Sequence, residues 1–90
     1  MYSKAEIAAA KQRHIRERMD RAISLVLAAT RRELRMSQPD LAVELGWTRN
    51  EIANVERRRR RVTAAEIVMF ANVFRISPES LWRRILACYR

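Results

Sequence analysis

One glycine, two prolines and one cysteine are all that this 90-residue chain holds of the residues that most constrain a backbone. The lone thiol, Cys88, has no internal partner, so no disulfide staples the fold, and the usage suits a reducing compartment. With a single glycine there is no Gly-rich loop to cradle a phosphate group. The one histidine, His14, has no second histidine and no cysteine near it, which is no ligand set for a metal. Neither Cys88 nor the scattered serines have a base at a spacing that would activate them, so nucleophilic catalysis has no support. A protein without enzymatic activity, cofactor or metal is expected. No apolar run is longer than the five residues of Leu25–Ala29, against the eighteen or so of a membrane span. Arg and His interrupt the first twenty residues before a leader-like apolar region can form, and a cytoplasmic location is expected.

Cationic charge is abundant. Seventeen Arg and two Lys stand against ten acids, a net charge of +9. That balance favours a polyanionic partner, either nucleic acid or an anionic membrane surface. A membrane role would fall to the basic stretch Ser3–Arg21, but its apolar residues are mostly alanine, with no Trp or Phe, which is weak for interfacial insertion. Hydrophobic content of 49% with so little Gly and Pro predicts one helical domain, near the lower size limit for folding without staples.

Start signals for helices recur along the chain. Ser3 and Glu6 form a capping box, and nothing interrupts a helical pattern from there to Leu34. Ile7, Ile15, Met19, Ile23, Val26, Leu27 and Leu34 fall at helical spacings. One helix of about thirty residues, roughly 45 Å long, fits this pattern, and so do two helices with an unmarked kink. Ser37 and Asp40, with Pro39 in the first turn, start a short helix that Gly46 can end in a left-handed conformation. Thr48 and Glu51 then start another, giving helices over roughly Gln38–Leu45 and Arg49–Arg57. Thr63 and Glu66 open a helix with an apolar face, and Ser77-Pro78 opens the last, which carries Leu81, Trp82, Ile85, Leu86 and Tyr89. The fold class is all-α, with five or six helices.

A short helix, a glycine turn and a second capped helix with polar side chains is an arrangement that reads DNA. Leu45, at the end of the first helix, and Ile52 and Val55 on the second are expected to face inward, leaving Arg49, Asn50, Ala53, Asn54 and Arg57 outward. Arg can bind guanine O6 and N7 through two hydrogen bonds, and Asn can bind adenine N6 and N7 likewise. The five arginines Arg57–Arg61 directly follow, and each phosphate that such a run neutralises adds salt-dependent, sequence-independent affinity. Arg57, Arg59, Arg60 and Arg61 are the candidates for backbone contact. Trp47, in the turn, is expected to pack between the two helices.

Arg31, Leu34, Ser37-Gln38, Leu41-Ala42, Gly46, Ile52, Val55 and Glu56 together resemble the Cro and lambda-repressor-like helix-turn-helix family, also called the XRE family. The resemblance runs from about Ile23 to Leu86. It implies a lambda-repressor-like five-helix DNA-binding domain over residues 21–90, preceded by an N-terminal helical extension over 1–20. It places the base-reading positions on Arg49, Asn50 and Asn54, with Thr48 at the helix start, and gives Gln38 a phosphate. It also implies a structural salt bridge between Arg31 and Glu56. Where the family usually has Gly and Pro after its glutamate, this chain has Arg58 and Val62, and a more helical loop is expected there.

The partners expected are double-stranded DNA and a second copy of the chain. The extension and last helix hold more apolar residues than one core needs, so Ile7, Ile15, Met19, Trp82, Ile85 and Tyr89 are candidate dimer contacts, with a merely solvated extension as the plainer possibility. The function this predicts is a sequence-specific transcriptional regulator, a homodimeric repressor or autoregulator on an inverted-repeat operator. The alternative is an antitoxin-like protein that binds and blocks a partner protein as well as DNA.

Overall fold

Each helix of the protein begins one residue after a side chain that accepts its orphan amides. The computed structural model describes residues 1–90 and contains α1 (Lys4–Glu33), α2 (Gln38–Leu45), α3 (Arg49–Glu56), α4 (Ala64–Phe74) and α5 (Pro78–Tyr89), with no strands. Ser3, Ser37 and Thr63 complete reciprocal capping boxes with Glu6, Asp40 and Glu66. Thr48 makes only half of one. Its hydroxyl accepts from the Glu51 amide at 3.1 Å, and the Glu51 carboxylate takes the Thr48 hydroxyl at 3.4 Å instead of the Thr48 backbone N–H.

The exits show how a chain with one glycine ends its helices. Gly46 leaves α2 at φ 73°, while Arg35, Arg58 and Arg75 adopt φ of 56°, 62° and 59° at the ends of α1, α3 and α4. In each case the following amide reaches back to a carbonyl of the last turn: Met36 to Arg31, Trp47 to Ala42, Arg59 to Asn54 and Ile76 to Ala71, all between 2.8 and 3.1 Å. These bonds satisfy carbonyls that would otherwise lack partners, at a handedness cost of about 1–2 kcal/mol for each arginine. The loop after α3 is therefore not more helical than expected for the family. The helix stops at Glu56, and Arg58 takes the left-handed conformation in the place where the family has glycine.

Every helix contributes to one core: Ala22, Ile23, Val26 and Leu27 from α1, Leu41 and Ala42 from α2, Ile52 and Val55 from α3, Ile67, Phe70, Ala71 and Phe74 from α4, and Leu81 and Ile85 from α5. Phe70 lies at its centre, with the Trp47 ring edge-on at 5.5 Å and Phe74 at 5.9 Å. Helix α5 runs antiparallel along the C-terminal half of α1, since Arg84 bonds Thr30 and Glu33 while Arg18 bonds the Tyr89 carbonyl at 2.7 Å.

Helix α1 is one unbroken helix, the first of the two possibilities its pattern allowed. Residues up to Arg18 are all exposed, so the first half of α1 projects as an arm and stretches the molecule to 51 × 26 × 20 Å. No helix is long and apolar enough to cross a membrane. Two inward/outward assignments differ from expectation. Ala53 is buried, because α3 packs on both α1 and α2. Ile85 is 0% exposed, sealed between α5 and the rest of the core, so it is not a dimer contact.

Candidate nucleic-acid interface

Helices α2 and α3 pack through Leu41, Ala42, Ile52 and Val55, joined by the Gly46-Trp47 turn. This fixes which side chains of α3 remain outside. Arg49 and Asn50, in its first turn, are exposed and bonded to no other side chain. Thr48 is exposed at the cap, and Asn54 is half-buried further along. The C-terminal end of α3 is held by Ser24, whose hydroxyl donates to the Val55 carbonyl at 2.8 Å inside the core. Sequence reasoning missed Ser24; a hydroxyl in the middle of an apolar helical stretch was the available signal.

Glu56, the last residue of α3, lies next to the arginine run, and the structure surrounds it with donors. Arg31 donates from Nε to Oε2 at 2.7 Å and from Nη2 to Oε1 at 3.0 Å, and its Nη1 reaches the Met36 carbonyl at 2.8 Å. Gln38 adds an Nε2 bond to Oε1 at 3.0 Å. The two charged side chains are only 10% and 9% exposed. Burial pushes the Glu56 carboxyl up, but the bonds from Arg31 and Gln38, with the charges of Arg31 and Arg32, outweigh it and hold the group below its ordinary value. The cluster joins the end of α1, the start of α2 and the end of α3 in one hydrogen-bonded unit. It also cancels a negative charge that would repel a phosphate. Gln38 keeps its second amide hydrogen and its place in the first turn of α2, where backbone amides favour an anion.

The arginine run divides in two. Arg57, Arg58 and Arg59 are exposed and form no ion pair. Arg60 is half-buried, with Nη2 and Nη1 on the Glu66 carboxylate at 2.8 and 3.2 Å and its guanidinium carbon 4.1 Å from the centre of the Trp47 ring. As a phosphate candidate Arg60 is thus already occupied. Arg61 lies 3.3 Å from Asp20 of α1 but stays 65% exposed. Trp47 does pack between elements, yet it bridges the turn to Phe70 of α4 and to Arg60 as well.

The candidate dimer residues do not come together in one patch. Ile7 and Ile15 are 49% and 44% exposed on the arm, beyond the end of α5. Met19 and Tyr89 are half-buried against the core, and Tyr89 lies under the Arg18 guanidinium at 4.6 Å. Trp82 is 42% exposed at the start of α5, beside Ala64, Ile67 and Pro78.

The family described as Helix-turn-helix has a model that matches residues 27–81, more than half of the chain. No curated protein matches the sequence. Among solved structures, the clp gene regulator ClgR from Corynebacterium glutamicum is similar at a TM-score of 0.72 and 14% identity, covering 79% of this chain and 76% of its own. The restriction–modification controller protein C.Esp1396I is similar at 0.72 and 23% identity, covering 78% of this chain and 90% of its own. The same controller, solved as a tetramer in complex with its natural 35-base-pair operator, gives 0.73 and 22% over 79% of this chain and 93% of its own. At these identities the likeness is one of fold, a lambda-repressor-like helical domain.

Proposed function

The chain belongs to the helix-turn-helix family, of the XRE type, and from that premise we propose that it is a sequence-specific DNA-binding transcription regulator that acts by occupying its site. The observation that carries this reading is the outward pair Arg49 and Asn50 at the N-terminal end of α3, flanked by the free cations Arg57–Arg59 and by a fully neutralised Glu56. Helix α3 lies in the major groove, with Arg49 and Asn50 on base edges and Thr48 and Asn54 beside them. Gln38 and the first turn of α2 hold one phosphate. Arg57 and Arg59 hold others, and Arg61 joins them by leaving Asp20.

The regulator works as a homodimer on an inverted repeat, with two α3 helices about one turn of DNA apart, roughly 34–36 Å. The tetramer of C.Esp1396I on its operator supports self-association for a domain of this shape. The second copy pairs through the arm, at Ile7 and Ile15, or through Trp82, which are among the large apolar side chains left exposed.

Selection of bound sequences from a random DNA pool tests the reading. Wild type should enrich a two-fold symmetric site, and Arg49→Ala and Asn50→Ala should each cost about 1–3 kcal/mol on that site while relaxing preference at one base. Enrichment of no sequence by wild type, or of the same sequence with the same affinity by both variants, refutes it.

A further inference from the structure

We propose that Arg60 is a positioning residue, which clamps the loop after α3 onto the turn before it and so aims Arg57–Arg59 at the DNA backbone without touching DNA itself. The proposal rests on the DNA-binding reading above and concerns how its phosphate contacts are built.

Arg60 reaches three elements at once. Its two Nη atoms hold both oxygens of Glu66, in the first turn of α4, at 3.2 and 2.8 Å. Its guanidinium covers the Trp47 face at 4.1 Å, in the turn between α2 and α3. Trp47 in turn rests edge-on against Phe70 at the core's centre. The planar fork suits both contacts together, one carboxylate in its plane and one aromatic ring against its face, which a lysine ammonium would not reproduce. From the other side, the Asn54 carbonyl accepts the amides of Arg59 and Arg60 at 2.8 and 3.2 Å. The segment Arg57–Arg59 is therefore suspended between a backbone anchor on α3 and a side-chain anchor on the turn and α4. These three arginines are the ones left exposed and unpaired.

A phosphate could capture Arg60 only by taking it from a carboxylate and an aromatic face together. Five adjacent arginines would serve as interchangeable cations if charge alone mattered. Here the fourth is drawn inward, and what it holds in place is the conformation of the first three.

Glu66→Gln is the decisive variant because charge and positioning predict opposite signs. Gln at this position keeps the capping box of α4 and raises the net charge by one. If only charge mattered, the variant would bind DNA more tightly, with a steeper salt dependence. The clamp predicts weaker binding to the selected site, by several-fold up to about tenfold near 0.1 M salt, the worth of roughly one phosphate contact. Trp47→Leu, which alters no charge, should weaken binding in the same direction. In a Trp82→Phe background, the emission of Trp47 should shift on Glu66→Gln, reporting release of the guanidinium from its face. All measurements are made well below the melting temperature of each variant, with helicity checked by circular dichroism. Equal or tighter binding by either variant, or weakened binding with unmoved Trp47 emission, overturns the clamp. A wild-type protein that binds no selected DNA refutes the DNA-binding reading instead.

Discussion

Removing the Glu56 carboxylate should be among the most damaging single changes to this fold. Glu56→Ala deletes three hydrogen bonds at 2.7–3.0 Å and leaves the Arg31 guanidinium in a site where its side chain is 10% exposed, bonded only to the Met36 carbonyl. Breaking one partner of a buried pair costs about 3–5 kcal/mol, chiefly because the surviving charge stays buried without compensation. A chain of this length has roughly 5–13 kcal/mol of stability in all. At about 4–8 °C per kcal/mol for a domain of this size, the melting temperature should fall by at least about 12 °C. Thermal melts followed by circular dichroism, with Glu17→Ala as control, measure it. Glu17 is exposed, so its loss should stay within about 0.5 kcal/mol. The paired replacement Arg31→Met with Glu56→Leu should recover much of the loss, since it buries no unpaired charge. If Glu56→Ala melts within 1–2 °C of the control, the cluster is solvated and the reasoning fails.

Acid should act on the same groups: the Glu56 and Glu66 carboxyls lie below their ordinary value of 4.5, so the stability they contribute is complete above that pH and lost as pH falls through their folded values, which urea titrations at stepped pH will follow. Relative to wild type, Glu56→Gln should flatten that acid limb. Arg58→Gly should relieve the strain of φ 62° and raise stability by up to about 1 kcal/mol, since the handedness gain exceeds the added chain entropy of glycine, while it removes one exposed cation; a lower melting temperature contradicts this. Deleting residues 1–17 removes only exposed positions, so the remaining domain should melt close to full length yet self-associate more weakly in sedimentation; a full-length protein that is monomeric at tens of micromolar, with or without DNA, excludes the dimer.

What the sequence determined by itself is local. Ser3, Ser37, Thr63 and Ser77 start their helices because each cap bonds an amide three residues away, a distance the chain order already sets. Gly46 was legible for the same reason, as the one residue with free access to a left-handed turn. The placement of Arg49 and Asn50 on a capped helix followed from such spacings, whereas their base-reading role was what the resemblance to the helix-turn-helix family implied. The other exits were not legible, because Arg35, Arg58 and Arg75 carry no mark of the left-handed conformation that the closing hydrogen bonds impose on them.

Tertiary structure alone decided what the charges do. Within Arg57–Arg61 the sequence offers five equivalent cations, and only packing brings Glu66 and Trp47 to the fourth and Asp20 to the fifth. Ile85 and Trp82 share one apolar stripe, yet the approach of α5 to α1 and α4 buries the first completely and leaves the second 42% exposed. Capping depends on atoms three or four residues apart, which every copy of the sequence holds within reach before it folds. Ion pairing and burial depend on which surfaces meet, and that is defined only once five helices have closed on a common core.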